Sequence, residues 1–273
     1  MKTEIITSPQ NPKVRLMLEL QEKSKARRRE GLFVVEGLRE LLHCVEAGYE
    51  VHSLFVCMDI LSREALAQIE EACCGKCPVF EIPGQIYEKV AYRGSTEGVI
   101  AELKCKSHTL QTLHAGENPL VVVLESVEKP GNLGAVLRSA DAAGVDAVII
   151  CDPLTDLYNP NLIRSSIGGI FTVQTAAATS QEAIGWLKDR GIKIYTAQLQ
   201  DSEWYYDTDM TGGTAIVMGT EATGLTDVWR EAADAHIKIP MLGKLDSLNV
   251  SVSAAILMYE AVRQRNASDT KNV

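Results

Sequence analysis

The sequence predicts an α/β protein: a small leading α/β unit, then a larger parallel sheet covered by helices on both faces. Three observations predict it. Short, near-continuous apolar runs alternate with longer amphipathic stretches, which is how strands buried on both faces read. The first hundred residues show this alternation on a smaller scale. A polar stretch without a sustained period, residues 104–118, separates the two series.

In the leading series, Leu32–Val35, Val51–Cys57, Val79–Ile82 and Gly98–Leu103 read as strands, with helices over Arg39–Ala47 and Arg63–Cys73. Residues 1–103 are therefore expected as one domain, 104–118 as a linker and 119–273 as a second domain. There, strands are predicted over Leu120–Leu124, Ala147–Cys151, Phe171–Thr175, Lys193–Ala197, Ala215–Met218 and His236–Ile239. Helices are predicted from near Asn132 to Ala143, over Gln181–Asp189, and from near Val250 to Arg265.

Composition bounds the function. The chain has 273 residues, 46% hydrophobic and 23% charged, ordinary for a globular protein with a core of its own. No apolar run approaches the length of a membrane helix, and the first twenty residues lack a signal-peptide core, so a cytoplasmic protein is expected. Seven cysteines without an export signal favour free thiols. Cys74-Gly-Lys-Cys77 has the spacing of half a zinc site, but no second pair stands at a suitable distance and the five histidines are scattered. No metal is expected.

The net charge of −9 excludes a protein that simply coats nucleic acid. Its distribution is uneven. Residues 1–30 hold eight Lys/Arg, among them Lys25, Arg27, Arg28 and Arg29, against four Glu, a net +4 that leaves −13 on the rest. Such a segment can grip phosphates or be a solvated helix face, and charge alone does not choose.

Ligands of parallel sheets bind beyond the carboxyl ends of the strands, so the loops there carry the chemistry. Three stand out. After Leu120–Leu124 comes Lys129-Pro-Gly-Asn-Leu-Gly-Ala-Val-Leu-Arg138, where Asn132 is placed to cap a helix, Gly134 admits close backbone approach, and Arg138 is expected near the same helix side as Asn132. After Ala215–Met218 comes Gly219-Thr-Glu-Ala-Thr-Gly-Leu225, a tight loop around Glu221 that is neither a dinucleotide fingerprint nor a Walker loop. After His236–Ile239 comes Pro240-Met-Leu-Gly-Lys-Leu-Asp-Ser-Leu-Asn-Val-Ser251, with Ser247, Asn249 and Ser251 gathered at a helix start. Taken singly, each is equally a capped helix or an ordinary turn.

Together, and in this order, N-x-G-x-x-x-R, G-x-E-x-x-G-L and I-P-M…S-L-N-V-S resemble the three motifs of the SpoU (TrmH-like) family of RNA 2′-O-ribose methyltransferases, over residues ~120–265. Arg164-Ser-Ser-Ile-Gly-Gly-Ile-Phe171 resembles a weaker family segment. Ser8-Pro-Gln-Asn-Pro12, Arg27–Arg29 and Phe33-Val-Val-Glu-Gly37 with Arg39 resemble the family's ribosomal-protein-like substrate-binding domain. Lys129 stands where many members have Asp before the first-motif proline.

The resemblance implies a C-terminal trefoil knot of the SPOUT type, a homodimer, S-adenosylmethionine as cofactor and RNA as substrate. It implies catalytic roles for Asn132, Arg138, Glu221, Ser247 and Asn249. It implies a cofactor pocket from Thr196, Ala197, Gln198, Leu199, Met218, Gly219, Thr220, Glu221, Gly224, Ile239, Met241, Leu248, Asn249 and Ser253. RNA contacts are implied at Lys25, Arg27, Arg28, Arg29, Glu36, Arg39 and Arg138. The leading domain favours ribosomal RNA, since the tRNA members of the resemblance lack it. The competing readings are the same chemistry on tRNA, a non-catalytic RNA-binding relative, and a small-molecule enzyme with a nucleotide cofactor.

Overall fold

Side-chain alternation builds the first sheet. In the strand Leu32–Glu36, Leu32 and Val34 join a core with Val14, Met17, Leu20, Phe55, Phe80 and Ile100. Phe33, on the opposite face, stacks on Tyr158 with ring centroids 4.2 Å apart. The computed structural model describes residues 3–73, 75–92, 97–220 and 223–269. The chain divides into two units, residues 1–106 with 156–164, and residues 107–155 with 165–273.

The first unit runs β1 (Thr3–Ile5), α1 (Pro12–Glu22), α2 (Ser24–Glu30), β2 (Leu32–Glu36), α3 (Leu38–Glu46), β3 (Val51–Val56), α4 (Arg63–Cys73), β4 (Val79–Glu81), α5 (Gly84–Val90) and β5 (Val99–Lys104). Its sheet order is β1-β4-β3-β5-β2. β1, β4 and β3 are parallel, whereas β5 runs antiparallel to β3 and β2. The basic leading segment folds as α1 and α2. Asn11 caps α1 by accepting from the Lys13 amide at 2.9 Å, and Pro12 occupies the first helical position, where no amide hydrogen is needed.

The second unit contains a 3₁₀ turn (Leu110–Thr112), β6 (Leu120–Glu125), α6 (Pro130–Ala143), β7 (Ala147–Cys151), α7 (Pro160–Ser166, which begins in the first unit's segment), α8 (Gly169–Thr172), β8 (Thr175–Ala178), α9 (Ser180–Lys188), β9 (Lys193–Ala197), β10 (Glu203–Trp204), β11 (Thr214–Met218), α10 (Asp227–Ala232), β12 (Ala235–Lys238) and α11 (Val250–Asp269). Its seven strands are all parallel, in the order β10-β12-β9-β11-β6-β7-β8. Val121 and Val123 of β6 pack into the core beside Trp186 and Trp229 of α9 and α10. The opposite face is covered by α6 and α11, which lie against each other.

Two sequence expectations change here. The strand expected over Phe171–Thr175 is a short helix and then β8, because Gly168, at φ 86°, starts a helical turn whose Gly169 sits 3.2 Å (as a built Cβ) from the Leu137 carbonyl. In the stretch expected as a linker, Leu110 and Leu113 are buried in the second unit's core, which is why residues 107–118 belong to that unit.

Candidate functional site

Because every strand of the second sheet is parallel, their carboxyl ends fall along one edge. The strand order sets β12, β9, β11 and β6 side by side, so the loops after these four strands meet there. A cleft of about 370 Å³ opens at this edge. It is lined by Ala197–Gln200 after β9, Met218–Leu225 around the β11 loop (Glu221 and Ala222 lie outside the described residues), Ile237–Ile239 and Met241 after β12, and Ser247, Leu248, Val250, Ser253 and Leu257 leading into α11. A second hollow of about 230 Å³ shares Gly219, Thr220, Thr223 and Val250 with it. It adds Val127, Glu128, Lys129 and Asn132 from the β6 end.

The glycines of the loops answer to close packing. A Cβ on Gly219 would overlap the Gly224 carbonyl and stand 2.6 Å from the Leu225 amide nitrogen. The loop closes on itself there: the Thr220 and Gly224 amides exchange bonds at 3.2 and 3.1 Å, and Gly224 sits at φ 68°, a conformation that favours glycine. A Cβ on Gly134 would collide with the Ser165 hydroxyl and lie 2.8 Å from the Ser166 amide, so α6 presses directly on the end of α7.

Asn132 does not cap α6. The helix starts at Pro130, which places Asn132 inside its first turn, and its side chain instead accepts from Asn249 Nδ2 at 3.1 Å. Asn249 caps α11, its Oδ1 accepting from the Ser251 amide at 3.0 Å and the Ser251 hydroxyl at 2.6 Å. The first and third loops are thereby joined by one side-chain bond between residues 117 apart.

Of the expected cofactor residues, Ala197, Gln198, Leu199, Met218, Gly219, Thr220, Gly224, Ile239, Met241, Leu248 and Ser253 line the cleft, as does Ser247. Thr196 does not. It points into the protein, fully buried, with Oγ1 2.6 Å from His236 Nδ1 on the neighbouring strand. Asn249 touches Asn132 and lies outside the cleft lining. Glu221 falls outside the described residues. Arg138 is exposed, lines neither hollow and has no hydrogen bond or ion pair among the described residues. The expected shared side fails on helix geometry, since six residues turn ~600°, about 120° short of two full turns.

A buried polar cluster beneath the site was not read from the sequence. Glu125 is on the β6 face that carries Val121 and Val123. Its carboxylate accepts from the Thr226 amide at 2.9 Å and the Thr226 hydroxyl at 2.6 Å, fixing the residue that follows the Gly219–Leu225 loop. Ser180 stands 3.3 Å from Glu125 and 2.7 Å from Asp152, and accepts from the Trp229 indole at 3.0 Å. A carboxylate closing an apolar run is the one signal that pointed to it.

In the first unit, Glu36 and Arg39 line a separate cavity of about 220 Å³ with Gln21, Glu40, Glu97, Tyr92 and Arg164, none of these five among the expected RNA contacts. Arg164 lies over the Tyr92 ring at 5.2 Å. Lys25 and Arg28 are exposed on α2, and Arg29 is held by Glu30 and Glu19. Arg27 is a correction to the expected RNA contacts. It is buried, paired with Asp156 through Nε at 2.6 Å and donating through Nη1 to the Leu20 and Gln21 carbonyls, so it does not face an RNA phosphate. The Cys77 thiol is pulled down to about 7 by its hydrogen bond with Cys73. Among the described residues no group of three His, Cys, Asp or Glu is arranged to hold a metal, and no helix is long and apolar enough to cross a membrane.

A parallel sheet whose adjacent strand ends enclose an apolar cleft beside two joined asparagines defines an α/β protein that binds a small ligand next to a polar reaction surface. Residues 119–259 match the SpoU rRNA Methylase family and residues 11–101 the MRM3-like substrate binding domain. The chain belongs to the SpoU rRNA methylase family. It is 30% identical over 255 residues to a 23S rRNA (uridine(2479)-2′-O)-methyltransferase of Streptomyces viridochromogenes, covering 89% of this chain and 87% of that one. It is 39% identical over 177 residues to the 23S rRNA (guanosine-2′-O-)-methyltransferase RlmB of Photobacterium profundum, covering 63% and 72%. The crystal structure of an AdoMet-bound rRNA methyltransferase from Sinorhizobium meliloti superposes with a TM-score of 0.86 at 27% identity, covering 96% of this chain and 98% of that one.

Proposed function

We propose that this protein transfers the methyl group of S-adenosylmethionine to a ribose 2′-hydroxyl of ribosomal RNA of the 23S type. The observation that carries the reading is the convergence of the three loops: the cleft after β9, β11 and β12 opens beside the Asn132–Asn249 bond. The cleft suits the cofactor chemically. Met218, Leu225, Ile237, Ile239, Met241 and Leu248 offer an apolar bed, and two buried atoms on its wall, Gln198 Oε1 and Arg230 Nε, have no partner among the described residues.

When bound, S-adenosylmethionine supplies an electrophilic methyl on its sulfonium. The protein's part is alignment. The residues after β9, β11 and β12 hold the adenosine and methionine portions, and the hollow at Asn132, Lys129 and Glu128 leaves room for the incoming ribose. Asn132 and Asn249, each fixing the other, orient the 2′-hydroxyl, with Ser247 on the cleft side. Arg138, solvent-facing and uncommitted, takes an RNA phosphate bidentately and stabilises charge developing on the oxygen, while the proton passes to water or phosphate. Glu221, expected to orient its loop, lies outside the described residues.

In this reading the leading domain, residues 1–103, grips the RNA through Lys25, Arg28, Arg29, Glu36 and Arg39, and residues 119–273 perform the transfer in the cytoplasm. In this reading the second domain also carries the C-terminal trefoil knot that the resemblance implies. Two copies pair through α6 and α11, where Val252 and Tyr259, 47% and 50% exposed, flank half-buried Ile256 at helical spacing. The test is a nuclease digest of ribosomal RNA from cells lacking the gene. One 2′-O-methyl nucleoside should vanish and return with the wild-type gene. In the Arg138→Ala protein cofactor binding should persist while transfer collapses. An unchanged digest in deletion cells sinks the assignment.

A further inference from the structure

The cleft carries few charges. Among the described residues that line it, only Arg230, Lys238 and Asp246 are charged. Lys238 is committed: its Nζ lies 4.9 Å from the centre of the Trp204 ring, the residue paired with it across β10 and β12. Asp246 accepts from the Ser247 hydroxyl. Arg230, on α10, has only a loose partner, Asp227 at 3.7 Å, whose side chain is 86% exposed and therefore weakly held in water. Its Nε–H is buried and has no partner among the described residues. On the same lining, Gln198 donates through Nε2 to the Gln200 carbonyl at 3.0 Å, and its buried Oε1 has no donor among the described residues.

The lining of one cleft thus presents, among the described residues, a cationic donor and a neutral acceptor without partners, an arrangement native proteins avoid unless a ligand completes it. The amino-acid end of S-adenosylmethionine is a zwitterion, with a carboxylate that needs a donor and an ammonium that needs an acceptor. We propose that Arg230 binds the carboxylate of the cofactor's methionine portion and that Gln198 Oε1 accepts from its α-ammonium, so that this pair selects ligands with an intact amino-acid end. This rests on the reading of the cleft as the cofactor site. The guanidinium fork matches a carboxylate with two parallel bonds, which an ammonium at this position could not do. The adenosine end then takes the apolar part of the cleft between the β11 loop and the residues after β12.

The experiment compares two probes by calorimetry on the full chain. S-adenosylhomocysteine carries the amino-acid end, and 5′-methylthioadenosine lacks it while keeping adenosine and sulfur. Wild type should bind both, the first more tightly. Arg230→Ala should weaken S-adenosylhomocysteine roughly ten- to a hundredfold, the loss of one charge-assisted contact, and leave 5′-methylthioadenosine within about twofold. Gln198→Ala should act the same way to a smaller degree, and Arg230→Lys should fall between wild type and Arg230→Ala. Equal weakening of both probes would place these residues at the adenosine end, and no weakening of either would remove them from binding; each result overturns the proposal. If the wild-type chain binds neither probe, the cofactor reading itself falls, a result distinct from the other two.

Discussion

Replacing Glu125 tests whether the loop at Gly219–Leu225 is held from below. The Thr226 amide and hydroxyl both donate to this carboxylate, at 2.9 and 2.6 Å, from residues 101 apart in sequence. Hydrogen bonds to a charged group contribute about 1.5–3 kcal/mol each, and a buried donor left unpaired costs a similar amount. Glu125→Ala removes the acceptor for both and leaves a void beside Ser180, so about 3–6 kcal/mol should be lost, a large part of the roughly 5–15 kcal/mol that keeps a typical domain folded. Glu125→Gln keeps the shape and one acceptor oxygen, but turns an amide NH₂ toward a donor; about 1.5–3 kcal/mol is expected. Thr226→Val removes one of the two bonds. Urea unfolding of the two single variants and the double variant closes a cycle whose coupling should exceed ~1 kcal/mol. S-adenosylhomocysteine affinity measured on the folded Glu125→Gln protein should fall with it. If that variant matches wild type in both midpoint and affinity, the carboxylate does not hold the loop.

Four further outcomes are expected. Gly219→Ala should reduce cofactor affinity at least about tenfold by forcing the loop open at the Gly224 carbonyl, with a small change in melting temperature, read by calorimetry and thermal unfolding. Arg27→Ala should lower the stability measured by urea unfolding by about 3–5 kcal/mol, because it strands Asp156, whereas Arg28→Ala should leave stability alone and weaken RNA binding in a filter assay. Glu102 is buried with one oxygen unpartnered, and burial raises its carboxyl above the ordinary range against the opposing Ser53 bond. A folded-state value above the unfolded one means stability falls as pH rises through that interval, so Glu102→Gln should raise the melting temperature at pH 7 and lose its advantage below about pH 4. Val252→Asp with Tyr259→Asp should shift the chain to a monomer in sedimentation if α11 forms the subunit contact.

Much of the fold was legible because buried parallel strands are written as unbroken apolar runs: Leu120–Leu124, Ala147–Cys151 and Ala215–Met218 lie within one residue of the observed strands. What escaped has physical reasons. β10 is two residues long, and β1 lies at a sheet edge with no buried face to imprint a pattern. The three arginines 27–29 look alike in sequence, yet helix phase buries the first among carbonyls and leaves the second in water. The same kind of phase error put Arg138 beside Asn132. Thr196 lies one residue before the cleft, and alternation along β9 turns it inward to His236. The site was readable as three loops, since close packing demands their glycines. Glu125 and Arg230 were not, because their significance lies in which partners they have or lack across the fold.

Arg265 on α11 spends its guanidinium on four carbonyls, those of Met210, Gly212, Asn118 and Pro119, the last two at the entrance to β6 and nearly 150 residues earlier. With the Asn132–Asn249 bond, this makes the final long helix a keystone set after the arch is otherwise complete. Translation adds about 5–20 residues each second, so for many seconds a growing chain has β6 and its loop without the helix that finishes the pocket. Such distant pairings also form slowly. Until this helix docks, the Asn132–Asn249 bond and the four carbonyl contacts of Arg265 are unmade, and the cleft lacks the side that Val250, Ser253 and Leu257 supply.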